Sequence, residues 1–179
     1  IVGGSPYTVG DPHMKTVDGV EFDFEAAGEF VALRGENFEL QVRQTAIGTE
    51  RALENQALSE LDSSVSLNTA IALKIGKHRI TYQPKPGDNA REDGLILRLD
   101  GEAIELNDEG FAFAPNSKIR PTVAPNGIQI EASGGTTVIV TPGFWEHYGI
   151  WYMHVDTRHV RATEGLLGVV SPGNWLPDL

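Results

Sequence analysis

His147, His154, Asp156 and His159 fall within thirteen positions, and imidazole with carboxylate is a donor set that transition metals accept. If an extended segment over 150–155 continues to Asp156, side chains two residues apart point the same way. His154 and Asp156 then share a face and could supply two ligands. The third would have to be His159 or a distant residue, no recognised metal spacing is present, and the plainer reading is a solvated polar strand face. Asp88, Glu92 and Asp93 likewise read as a solvated acidic loop, with weak cation binding as the alternative. The aromatic group Phe144, Trp145, Tyr148, Trp151 and Tyr152 is a different resource. Trp and Tyr present a flat apolar face with one polar handle, which suits a sugar or protein partner. Trp151 is expected in the core, and Trp145 with Tyr148 forms the candidate binding surface.

Other chemistry is excluded by what the chain lacks. It has 179 residues and no Cys, so disulfides, thiolate metal sites and cysteine catalysis are ruled out. The opening Ile1-Val2-Gly3-Gly4 looks like the new terminus of an activated trypsin-like protease, but no Gly-Asp-Ser-Gly nucleophile segment accompanies it. Ser66 and Ser171 sit in no nucleophile-elbow context. A formal charge of −11 argues against nucleic acid, whose affinity comes from Lys and Arg displacing counterions. No apolar run reaches the roughly 20 residues of a bilayer-spanning helix, and no signal-peptide pattern opens the segment, so an export signal is expected outside it.

The elements that must position these residues are short and alternating. Val20-Glu21-Phe22-Asp23-Phe24 places Val and both Phe on one face and two carboxylates on the other, and Phe38 to Gln44 repeats that period of two. Ala70–Ile75 and His78–Tyr82 join through Gly76-Lys77 as a hairpin. Leu95–Leu99 and Ala103–Leu106 flank Asp100-Gly101, a strong turn signal because both central positions need positive φ. Ile128–Glu131, Thr136–Val140 and Ile150–Val155 complete the pattern. Glu50–Asp62 is either a short amphipathic helix or an ordered loop, and Gln83–Gly94 is a loop by composition. About a dozen short strands with at most one short helix predict a single all-β domain over 1–179, an antiparallel β-sandwich or open barrel.

The run Gly10-Asp11-Pro12-His13, continued by Thr16, Asp18, Gly19, Phe22, Asp23 and Phe24 and closed by Gly28-Glu29-Phe30, resembles the opening of a von Willebrand factor type D domain. The similarity extends to Ser64-Val65-Ser66-Leu67, to Ala70-Ile71 and to Gly165-Leu166-Leu167-Gly168, and so covers nearly the whole chain. The resemblance implies a β-sandwich-like module of extracellular proteins that serves adhesion, multimer assembly or matrix formation. Animal members are usually disulfide-rich, so a cysteine-free version fits better with a bacterial secreted or surface protein.

The resemblance also implies two chemistries. One is a calcium loop after the Gly-Leu-x-Gly motif, joined by the Asp of Thr-x-Asp-Gly. Asp18 matches, but Val169, Val170 and Ser171 replace the expected Asn positions, so Asp18, Asn174 and Asp178 would supply three side chains and backbone carbonyls and water the rest of a set of six to eight. Packing of Val169, Val170 and Trp175 as an apolar cap is the competing reading. The other is self-cleavage between Asp11 and Pro12, which some members perform. The Asp11 carboxyl would attack its own carbonyl to form an anhydride, and His13 would protonate the departing proline nitrogen. The competing reading makes Pro12 the edge of a strand, with Asp11 and His13 in local hydrogen bonds. The expected function is a non-enzymatic interaction or structural module of a secreted or cell-surface protein. Its partner would be a protein or glycan, neighbouring domains would lie in a longer chain, and neither nucleic acid nor membrane insertion is involved. Self-processing at Asp11-Pro12 and a calcium-stabilised adhesion domain are the alternatives.

Overall fold

The computed structural model describes residues 5–9, 13–24, 26–47 and 66–168. Alternating apolar and polar residues give strands, and Gly, Asn and Asp turns fold them back on one another. Through the first half these are β1 (Tyr7–Val9), β2 (His13–Lys15), β3 (Glu21–Asp23), β4 (Gly28–Gly35), β5 (Phe38–Ala46), β6 (Ser66–Ile75) and β7 (His78–Pro84). A single helical turn, α1 (Ala90–Asp93), precedes β8 (Leu95–Leu99) and β9 (Glu102–Ile104). Then come β10 (Phe111–Ala114), β11 (Ser117–Pro121), β12 (Ile128–Glu131), β13 (Thr137–Trp145), β14 (Ile150–Arg158) and β15 (Ala162–Glu164).

The strands form two antiparallel sheets that stay separate, so the sandwich is the outcome and not the open barrel. One sheet has eight strands in the order β10-β11-β12-β13-β14-β1-β2-β3, and the other has seven in the order β15-β4-β5-β6-β7-β8-β9. Both are largely meanders, the arrangement that short turns allow. In the hairpin at Asp100-Gly101 both residues have positive φ, 51° and 88°, as its sequence requires. The chain's first three strands and its last, β15, which pairs with β4, are the exceptions. The first three leave the sequential order and extend the sheet beyond β14, with Tyr7 of β1 opposite Asp156.

The core lies between the sheets. Leu33, Leu40, Leu73 and Ile80 from one sheet meet Ile119, Ile130, Val138, Met153 and Val155 from the other, all fully buried. A polar seam runs through this interior beside them. The Asn68 amide donates to the Thr8 hydroxyl at 2.7 Å, and the Gln44 amide donates to Asn68 Oδ1 at 3.3 Å. Thr157 gives both its backbone N–H (3.0 Å) and its hydroxyl (2.9 Å) to the Pro6 carbonyl. The seam ties the out-of-order β1 to β6 across the core and to β14 beside it.

The segment Gly165–Gly168 closes the sandwich. The register of β4 against β5 slips between Val31 and Leu33, leaving Ala32 without a ladder partner. Leu166 and Leu167 donate their N–H groups to the Val31 and Ala32 carbonyls at 3.0 and 2.7 Å, which meets the hydrogen-bonding demand that the bulge creates. Gly165 has φ 97°, and a Cβ there would lie 2.7 Å from the Ala32 carbonyl oxygen. Only glycine fits both conditions.

Two expectations need correcting. Val20 does not join Phe22 and Phe24 on the inward face: it is 38% exposed. The Thr16 N–H donates to the Val20 carbonyl at 2.9 Å, so Val20 closes the loop before β3 and lies outside the strand's alternation. The Gln83–Gly94 stretch is not wholly a loop either. Asn89 caps α1 by accepting from Glu92 N–H at 3.3 Å, and the Trp151 indole donates to the Ala90 carbonyl at 2.7 Å. The proposed helix at Glu50–Asp62 falls outside the described residues.

Leu167 is fully buried at the closure of the two sheets. Leu167→Ala is expected to cost about 3 kcal/mol in urea unfolding while leaving the denaturant slope unchanged. A loss below about 1 kcal/mol would show that the closure does not hold the sheets together.

Candidate functional site

Four groups of side chains carry the chemistry anticipated from the sequence. The first surrounds His13. Val9 pairs with His13 across β1 and β2, and His13 pairs with Asp23 across β2 and β3. That register puts the imidazole Nδ1 2.5 Å from Asp23 Oδ1, on the exposed face of the eight-stranded sheet. Tyr7, Val9, His13, Glu21, Asp23 and Asp156 line an open depression of about 560 Å³ there. Lys15 Nζ lies 3.7 Å from Glu21 Oε1 and Tyr7 Oη 3.5 Å from the same oxygen. A histidine beside a carboxylate is a competent proton donor and acceptor. Asp11 and Pro12 lie outside the described residues.

The second group joins two motifs that are far apart in sequence. The Thr16 hydroxyl donates to Asp18 Oδ1 at 2.5 Å and accepts from Val20 N–H at 2.9 Å, and Gly19 takes φ 87° to complete the turn. Val17 N–H donates to the Leu167 carbonyl at 2.9 Å. Thr-x-Asp-Gly therefore packs directly on Gly-Leu-Leu-Gly. Asp18 is exposed and contributes one carboxylate, well short of the six to eight oxygens calcium takes. Among the described residues no group of three His, Asp or Glu is placed to hold a metal. Asn174 and Asp178 lie outside them.

The third group is the aromatic tip of the β13–β14 hairpin. Trp145 and Tyr148 are each 39% exposed and meet edge to face, ring centroids 4.7 Å apart. Behind them Phe144 packs on Trp151 at 5.1 Å. Arg91 of α1 lies over the Phe144 ring at 5.5 Å and forms an ion pair with Glu146. Trp151 is buried, as expected, and its indole N–H holds α1 against the hairpin.

The histidines make the fourth group, and they do not converge. His154 and Asp156 do share the outer face of β14, with the Tyr152 ring 5.3 Å from His154. His147 lies in the turn before β14 and His159 beyond its other end. Nine residues of extended chain separate those two positions. Asp93 Oδ2 accepts from Asn89 N–H at 3.1 Å, so part of the acidic loop is used in holding α1.

The sequence reading missed Asp23 as the partner of His13, and it missed the polar seam. A signal for the seam was present. In Ser66-Leu67-Asn68-Thr69-Ala70 the polar residues occupy buried strand positions, and buried polar groups need partners.

Comparison with known proteins gives a distant likeness. The chain is 26% identical over 123 residues to Mucin-4 of Homo sapiens, covering 58% of this chain and 2% of the mucin. Against Mucin-4 of Mus musculus it is 24% identical over 168 residues, 91% of this chain and 4% of the mucin. The chain thus spans a few per cent of the length of the curated relatives it matches. No family model matches it.

Burial lowers the His154 pKa below its ordinary value, and the Asp156 charge offsets this only partly. A histidine with a lower pKa folded than unfolded binds fewer protons in the native state. Its contribution to stability is complete above the unfolded value of about 6.5 and is lost as pH falls below it. His154→Gln is therefore expected to show a smaller drop in Tm than the parent between about pH 7.5 and about pH 5.5. Equal drops would mean that His154 does not contribute to the acid sensitivity.

Proposed function

We propose that this chain is a non-enzymatic interaction module of a secreted or cell-surface protein, built like a von Willebrand factor type D domain. On this reading the Trp145–Tyr148 tip is its contact surface for a protein or glycan. The observation that carries the reading is an exposed aromatic pair on a braced hairpin. Large apolar rings fixed before binding lose little conformational freedom when a partner arrives, and Trp and Tyr are enriched among residues that dominate binding energy. The β-sandwich, the packing of Thr-x-Asp-Gly on Gly-Leu-Leu-Gly and the similarity to stretches of two mucins support the module and its extracellular setting.

A second reading, self-processing at Asp11-Pro12, is favoured by the His13–Asp23 pair at 2.5 Å. The imidazole, held by Asp23, is placed as a group that could hand a proton to a leaving nitrogen. In that reaction an Asp11 carboxyl oxygen bonds to the Asp11 carbonyl carbon and the C–N bond to Pro12 breaks. His13 gives its proton to the proline nitrogen, and water then opens the anhydride.

The two readings have separate tests. Trp145→Ala with Tyr148→Ala is expected to weaken capture on an array of matrix proteins and glycans by at least about tenfold, with Tm unchanged. Ligands held equally by parent and variant would remove the tip from the binding surface. Intact mass after incubation from about pH 4 to about pH 8 tests the other. A remainder starting at Pro12 in the parent, absent in Asp11→Ala and slowed in Asp23→Asn, is the expected result of self-processing. An unchanged parent mass would leave His13 and Asp23 as a structural pair.

A further inference from the structure

A large cleft lies at the end of the sandwich opposite the aromatic tip. β13 runs from Thr137 to Trp145 and β14 returns from Ile150 to Arg158, so the two ends are about 27 Å apart at the rise of an extended chain. The cleft has a volume of about 840 Å³ and is walled by turns from both sheets: β4–β5, β6–β7, β10–β11, β12–β13 and the connection from β14 to β15. Turns from several strands converging on one end of a rigid sandwich are a common place for binding residues.

The cleft carries more basic than acidic side chains. In a chain with a formal charge of −11, Lys77 and Arg161 line the cleft with His78 and His159, and among the described residues Glu36 is the only carboxylate on its wall. Arg34, Arg43, Arg91 and Arg120 are all committed to glutamates. Lys77 and Arg161 form no such pair among the described residues. The nearby Asp100 is already engaged, because its carboxylate accepts from Arg79 N–H and from His78 Nδ1, each at 2.8 Å. Those bonds hold its pKa below the ordinary value, with Lys77 adding a smaller contribution.

The remaining wall is mixed and well held. The His78 ring meets Phe113 edge-on at 5.5 Å. His159 takes φ 53°, and its carbonyl accepts from the Thr136 hydroxyl at 3.1 Å. Asn37, Asn116 and Ser133 add exposed amide and hydroxyl groups. A nucleic acid or polyphosphate needs a row of cations, and the cleft has two. A single carboxylate or sulfate on a hydroxylated ring matches it better. The anion would meet Lys77 and Arg161, the hydroxyls would meet the amides, and a C–H face would lie on Phe113.

We propose that this cleft is a binding site for an acidic sugar, one carrying a carboxylate or sulfate. It is independent of the aromatic tip, and the tip can fail while this site stands. The test is calorimetric titration of the folded chain with three disaccharides of equal size: a hexuronate, a sulfated form and a neutral form. At least one acidic probe is expected to bind about tenfold or more tightly than the neutral one. That binding should weaken as salt rises, because its attraction comes from exposed charge. Lys77→Ala with Arg161→Gln should abolish the preference with Tm unchanged, while Trp145→Ala leaves it intact. Whether the hexuronate or the sulfate binds more tightly then names the anion. Equal affinity for neutral and acidic probes, retention of the preference in the double variant, or no heat with any probe up to about 20 mM would overturn the proposal.

Discussion

Apolar burial holds the two sheets of this sandwich together, and Leu167 fixes one against the other through both its backbone and its side chain. Its N–H goes to the Ala32 carbonyl of one sheet at 2.7 Å, and its carbonyl accepts from Val17, in the β2–β3 loop of the other, at 2.9 Å. Its side chain is fully buried between them. One residue therefore satisfies a bulged strand, a neighbouring loop and the core together. Gly165 makes this possible, because its φ of 97° and its approach to the Ala32 carbonyl leave no room for a Cβ.

The polar seam does a related job for the chain's beginning. β1 has only three residues, too few to hold its place by ladder bonds alone. Thr8, Asn68, Gln44 and Thr157 are nearly or fully buried and take hydrogen-bond partners across the sheets and along β14. Such bonds are directional, so they select one register for β1 where apolar contact would tolerate a slip. That register matters at the surface. It sets Val9 opposite His13, and the register of β2 against β3 then brings the His13 imidazole to Asp23.

The outer surface divides its work between two ends. At one, α1 is pinned by the Trp151 indole and carries Arg91 to Phe144 and Glu146, so the exposed Trp145 and Tyr148 rest on a braced support. At the other, five connections from both sheets surround a cleft with a small excess of positive charge. On the two proposals above, the aromatic tip and the cleft, about 27 Å apart, would engage two features of one partner surface together. Two weak contacts joined in this way hold more firmly than either one alone.

Local information in the sequence was enough for the strands and several turns. Period-two alternation in Phe38–Gln44 and positive-φ residue types at Asp100-Gly101 act over a few residues, and the structure keeps both. It was enough, too, for the buried place of Trp151 and the shared face of His154 and Asp156. Val20 was misread because loop closure by the Thr16 N–H overrides alternation at the strand's edge. The short helix at Ala90–Asp93 was missed because its anchor, Trp151, lies 61 residues away. Pairings of that kind depend on strand register, as for His13 with Asp23, or on how the sheets stack, as for Val17 with Leu167 and Asn68 with Thr8. The sequence determines which residues can donate, accept or pack. Only the tertiary structure decides which of them meet, because strand order and register follow from burying the whole core at once.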